Sequence, residues 1–239
     1  MQTELKKLNF NVTSITDASK DSFEKEFEKW VNNLSEMNTK CVALFHASGH
    51  GLEIDDENYL VPVDAKKIVA SNCEHNQQTK CGVCTKSEVK ATCISLQTLL
   101  NALLDKLPPG SLIIFLLDCC RDDPGKGLDL NPHVKNSFAK MQLKDGGNSH
   151  ERTETFIGYA TAPGKEALST AKGCGGRSPF TDGLIKCLAN PVIVNKSLVD
   201  LFTCVRSFVQ KVTTGYMEPK EDLNMTRCFR FSHVGAAGN

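Results

Sequence analysis

Ser111-Leu112-Ile113-Ile114-Phe115-Leu116-Leu117-Asp118-Cys119-Cys120-Arg121 is the stretch that decides how this chain folds. Its apolar run, Leu112 to Leu117, is far shorter than the ~20 residues of a membrane helix. It is rich in β-branched and aromatic side chains and starts directly after Pro109-Gly110. Such a run reads as a strand buried on both faces in a parallel sheet. An acid, two thiols and a guanidinium follow it. In an open α/β sheet, functional groups gather at the carboxyl ends of strands, where loops stand on a rigid base. Cys119 and Cys120 are therefore both candidate nucleophiles.

A second stretch is built the same way. Cys41-Val42-Ala43-Leu44-Phe45 is a short apolar run, and His46-Ala47-Ser48-Gly49-His50-Gly51 follows as a loop. Two strands that each end in half of a Cys/His pair supply what a thiol peptidase requires. A free thiol titrates near pH ~8.5 and needs a neighbouring base or cation to give thiolate at neutral pH. His46 and His50 compete for that part. Alternation along an extended chain separates Cys119 from Cys120 and puts Asp118 on the side of Cys120.

The rest of the chain completes an α/β pattern. Residues 8–15 alternate like a strand, with Asp17 and Ser19 available to cap the next element. Phe23, Phe27, Trp30, Val31 and Leu34 recur at helical spacing. Residues 59–63 read as a hairpin arm. Leu96, Leu99, Leu100, Leu103, Leu104 and Leu107 form an amphipathic helix ended by Pro108-Pro109-Gly110. Further on, a strand is expected at 155–160, helices at 179–188 and 198–212, and a closing strand at 227–231. Strands alternating with helices predict a mostly parallel central sheet with helices on both faces. The apolar pattern lapses after Arg121, in a polar stretch rich in Asp, Gly and Lys. It divides one catalytic domain into a first half (1–124), a linker (125–154) and a second half (155–239).

Bulk composition narrows the function. Lys plus Arg equals Asp plus Glu, 28 each, so net charge points to neither a nucleic-acid nor a membrane partner. Eleven cysteines without a secretory signal argue for a reducing compartment, the cytoplasm, over a disulfide framework. Residues 66–92 read as a polar surface insertion. Within and just after it, Cys73, His75, Cys81, Cys84 and Cys93 offer enough ligands for a tetrahedral zinc ion. Only Cys81-Gly82-Val83-Cys84 has typical spacing, so reduced surface thiols are the favoured reading there.

Five blocks, in order, resemble the caspase-like cysteine peptidases, most closely the paracaspase and bacterial caspase-like branch. They are Phe45-His46-Ala47-Ser48-Gly49-His50-Gly51; Tyr59-Leu60-Val61-Pro62-Val63-Asp64-Ala65; Phe115-Leu116-Leu117-Asp118-Cys119-Cys120-Arg121; Gly158-Tyr159-Ala160-Thr161-Ala162-Pro163-Gly164 with Ser178-Pro179-Phe180-Thr181; and Leu223-Asn224-Met225-Thr226-Arg227-Cys228-Phe229-Arg230-Phe231. The resemblance implies a three-layer caspase-like sandwich. It selects Cys120 as nucleophile, His50 as general acid–base, and the backbone N–H groups of Gly51 and Cys120 as the oxyanion hole.

In the paracaspase-like branch, an acid two residues before the nucleophile binds the substrate's P1 arginine or lysine. That makes Asp118 the S1 residue. A second acid of the branch falls at Ser169 here, with Glu166 three residues before it. The resemblance implies protein or peptide substrates, a possible homodimer and no obligate cofactor, calcium use differing among members. The family also begins with one more strand, and this chain aligns only from the first helix, so the sheet is expected to lack its first strand. The alternative reading is a catalytically silent interaction or regulatory module of the same fold. Cys120, His50 and Gly51 favour the enzyme; the missing strand favours the module.

Overall fold

The computed structural model describes residues 1–65, 86–120, 134–135, 141, 153–162, 165 and 167–234. The decisive run is β4 (Leu112–Cys120), and it lies at the centre of the sheet. With β1 (Val42–Ile54), β2 (Glu57–Leu60), β3 (Ile94–Ser95), β6 (Glu154–Tyr159) and β7 (Lys220–Asn224), the order is β3-β2-β1-β4-β6-β7. A short β5 (Val134–Lys135) pairs with the far end of β1. The long ladders, β1 with β4 and β4 with β6, are parallel, and the shorter pairings at the margins are antiparallel.

Alternation along the central strands builds two cores. Leu112, Ile114, Leu116 and Phe156 face α5 (Pro179–Leu188) and α7 (Leu198–Val212), where Phe180, Leu201, Phe202 and Val205 pack against them. Ile113, Phe115, Leu117 and Ile157 face α2 (Lys20–Glu36) and α4 (Leu96–Lys106), and meet Phe27, Val31, Leu100 and Leu103. This is the expected three-layer α/β sandwich. Ser19, Ser95, Ser178 and Ser197 cap the N-termini of these four helices through side-chain oxygens. The remaining helices are short: α1 (Gln2–Lys7), α3 (Lys86–Thr92) and α6 (Pro191–Val194).

Three expectations are corrected. The stretch from His46 to Gly51 is not a loop: β1 runs straight through it to Ile54. The chain turns instead at Asp55-Asp56, with φ of 53° and 61°, as a two-residue hairpin with two left-handed positions requires. Residues 8–15 form no strand. Along Val42 to Ser48, β1 pairs only with β4 among the described residues, and a cleft of about 530 Å³ separates its other edge from residues 10–18. Without a ladder within reach, residues 8–15 gain no strand pairing. The closing strand is Lys220–Asn224, not 227–231. Phe229 and Phe231 pack with Phe10 beside the first core, while the more polar Lys-Glu-Asp-Leu-Asn segment takes the sheet edge.

Candidate active site

The parallel register of β1 and β4 fixes the centre of the site. Val42 stands opposite Leu112, and the pairing continues residue by residue until His50 stands opposite Cys120. Both lie at the carboxyl end of the parallel β1–β4 ladder, the position where α/β sheets carry their chemistry. His50 is exposed and lines the cleft along the β1 edge, together with Val61, Pro62 and Val63. Val61 donates its N–H to the His50 carbonyl at 3.0 Å, and Gly51 opens the ladder to β2 opposite Leu60. The backbone around the imidazole is thereby held on both sides, by β4 and then by β2. Cys119 is half-buried, and the Cys120 thiol lies outside the described atoms.

Asp118 belongs to the same alternating row as Leu112, Ile114 and Leu116, so it points towards α5 and is fully buried. There the first turn of the helix receives it. The hydroxyls of Ser178 and Thr181 both donate to Asp118 Oδ2. Ser178 Oγ also accepts the Thr181 N–H at 3.0 Å, as an N-cap does. His46, in the corresponding row of β1, brings Nε2 within 3.2 Å of Thr181 Oγ1. Burial first, and then the nearby amino terminus of the chain, push the His46 imidazole down to about 4, so it is neutral at physiological pH. His46 thus hydrogen-bonds inside the fold, and His50 is the histidine set against Cys120.

Other predicted residues are not gathered here. Ser169 is half-buried in the segment before α5 and has no hydrogen-bond partner among the described residues. Glu166 lies outside the described residues, as do Cys73, His75, Cys81 and Cys84. Cys93 is buried against Leu52, Ile54 and Tyr59, where desolvation raises its thiol above the usual range. Among the described residues no cluster of three or more His, Cys, Asp or Glu side chains is arranged to hold a metal ion. Of the linker, residues 125–133, 136–140 and 142–152 also lie outside the described residues; Met141 is buried and donates its N–H to the Tyr159 hydroxyl at 3.1 Å.

Sequence reasoning missed the hydroxyl pair around Asp118. Its signal was present in Ser178-Pro179-Phe180-Thr181: a Ser followed by Pro marks an N-cap and first helical position, and puts a second hydroxyl one turn on.

Comparison with known proteins agrees with this architecture. A family model described as "Caspase domain" matches residues 1–230. Among solved structures, caspase-1 from Spodoptera frugiperda superposes with a TM-score of 0.54 at 17% identity, over 96% of this chain and 77% of that one. A protein from Geobacter sulfurreducens superposes with a TM-score of 0.56 at 12% identity, over 97% of this chain and 86% of that one. No curated protein sequence matches the chain. At such identities the superpositions speak for the fold, and the family match covers nearly the whole sequence: the chain belongs to the caspase domain family.

Proposed function

We propose that the protein is an active cysteine endopeptidase of the paracaspase-like kind, cutting peptide chains after arginine or lysine. The observation that carries this reading is the register setting His50 against Cys120 at the end of the parallel β1–β4 ladder. His50 takes the thiol proton, and the Cys120 sulfur adds to the scissile carbonyl carbon. The backbone N–H groups of Gly51 and Cys120 receive the developing oxyanion, a contribution typically worth ~10²–10³-fold in rate. The C–N bond breaks as the imidazolium returns its proton to the leaving amine. Water, with His50 again as base, then hydrolyses the thioester and frees the enzyme. No metal or organic cofactor takes part in these steps.

Asp118 is assigned to the P1 guanidinium or ammonium. A carboxylate accepts several hydrogen bonds at once, and Arg pairs with it in a bidentate geometry. Full burial also suits a second role, in which Asp118 only ties α5 to the sheet.

Initial rates on matched fluorogenic peptides with Arg, Lys, Asp or norleucine at P1 separate these readings. The wild type is expected to cleave the basic peptides, and Cys120→Ala to lose at least ~10³-fold while Cys119→Ala keeps most of the rate. Asp118→Asn is expected to lose the Arg and Lys peptides selectively. A uniform loss across all peptides, with a lowered Tm, assigns Asp118 the architectural role alone. Undiminished cleavage by Cys120→Ala would overturn the mechanism.

A further inference from the structure

We propose that Thr181 and Ser178, in the first turn of α5, are positioning residues that aim the Asp118 carboxylate and so set how strictly a basic P1 residue is chosen. The inference rests on the reading of Asp118 as the S1 acid. Its independent content is that specificity is controlled from a helix of the second half of the chain, by residues that do not touch the substrate.

The hydrogen-bond directions leave little freedom. On the S1 reading Asp118 is ionised and only accepts, so the single proton of Thr181 Oγ1 goes to Asp118 Oδ2. Thr181 Oγ1 must then accept from His46 Nε2 at 3.2 Å, which places the proton of the neutral imidazole on that nitrogen. Ser178 Oγ accepts the Thr181 N–H and gives its own proton to the same Asp118 oxygen. One chain of donors therefore runs from β1 through α5 to β4. Two hydroxyls converging on Oδ2 fix the plane of the carboxylate. The four groups are buried or half-buried, where hydrogen bonds are stronger and a misplaced polar atom is expensive. Phe180 is fully buried and Thr181 sits directly after it, so the core anchors the turn that carries the hydroxyls. A rotation of the Asp118 carboxylate would leave one of these donors unpaired, and this is what holds its aim.

The test is Thr181→Val, which keeps the branched shape and deletes the proton, beside Thr181→Ser, which restores it. The readouts are kcat and KM on the Arg, Lys and norleucine peptides, with Tm measured on each protein. A hydrogen bond to a charged group is worth ~tenfold or more in an equilibrium. Thr181→Val is expected to reduce the Arg-to-norleucine ratio of kcat/KM by about that factor, mainly through KM, and Thr181→Ser to recover it. Should Thr181→Val fail to fold, Ser178→Gly replaces it, because Gly is a tolerated N-cap and still removes a donor from Asp118. The same fall in ratio is expected there. An unchanged ratio in whichever of these variants folds overturns the proposal, as does an equal loss on all peptides. If the wild type itself shows no preference for basic P1 residues, the S1 reading of Asp118 has failed, and this inference falls with it.

Discussion

At the scale of single residues, His46 gives the protein an acid-sensitive component that is separate from the proposed catalytic pair. Its imidazole titrates at about 4 in the fold, because burial and the chain's amino terminus oppose a second proton, against ~6.5 when unfolded. Between those values the unfolded chain binds more protons, so stability rises with pH across the window. The contribution is complete above ~6.5 and is lost as pH falls towards 4, on the order of 3 kcal/mol in all. Urea unfolding at pH 7 and pH 4.5 should show a smaller acid-induced loss in His46→Gln than in the wild type. Equal losses would mean that His46 is not held neutral. The sequence showed two histidines and two cysteines competing for one role each. Spacing alone could not choose, because the choice between His46 and His50 depends on where β1 stops pairing with β4. That end, His50, lies five residues beyond the apolar run.

At the scale of elements, the strands that bury both faces were legible and the ones at the edges were not. β4 and β6 read directly from apolar runs, since a parallel strand between two helix layers has no polar side to show. β7 carries Lys, Glu and Asp because one of its edges meets solvent, so its sequence does not announce a strand. Its exit from the sheet is secured from the first residue of β6. Buried Glu154 accepts from the Thr226 N–H at 2.8 Å, the Thr226 hydroxyl at 2.6 Å and the Arg227 N–H at 3.1 Å. Burial raises the carboxyl, but the Thr226 and Arg227 contacts outweigh it and hold it below the ordinary value. Glu154→Ala leaves these donors unpaired and is expected to destabilise the fold by ~1–3 kcal/mol in denaturant unfolding, with an unchanged midpoint contradicting the assignment. Gly158, in β6, is a packing requirement: a Cβ there would stand 2.5 Å from the Phe202 ring. Gly158→Ala should lower Tm through overpacking worth ~1–3 kcal/mol, and trimming Phe202 to Leu should recover part of it.

At the scale of the whole molecule, the two halves of the sequence fold as one sheet, and the candidate site lies where they meet. β1 and β4 supply His50 and Cys120, while α5, from the other half, reaches back to Asp118. The boundary drawn in the sequence at residues 125–154 is thus a boundary in composition and not in packing, as β4 and β6 are direct neighbours. Phe202 illustrates the dependence: fully buried on α7, it packs on Phe156 and Phe180 of its own half and shares one core with Leu112, Ile114 and Leu116 of the first half. Phe202→Ala should cost ~3–5 kcal/mol. Along Val42–Ser48 the edge of β1 away from β4 has no partner strand among the described residues, and this was not legible in the residues themselves. Nothing in residues 8–15 themselves distinguishes a strand with a partner from one without.

The central claim is that the register of β1 and β4 makes a working Cys120–His50 pair, and covalent labelling tests it most directly. The protein would be treated with a peptidyl-arginine fluoromethyl ketone and the modified residue mapped by mass spectrometry in wild type, Cys119→Ala, Cys120→Ala and His50→Ala. The account predicts stoichiometric modification at Cys120 in the wild type and in Cys119→Ala, none at residue 120 in Cys120→Ala, and labelling slowed at least tenfold in His50→Ala, for want of a base to supply thiolate. Modification at Cys119, or labelling of Cys120 at the same rate without His50, would contradict it.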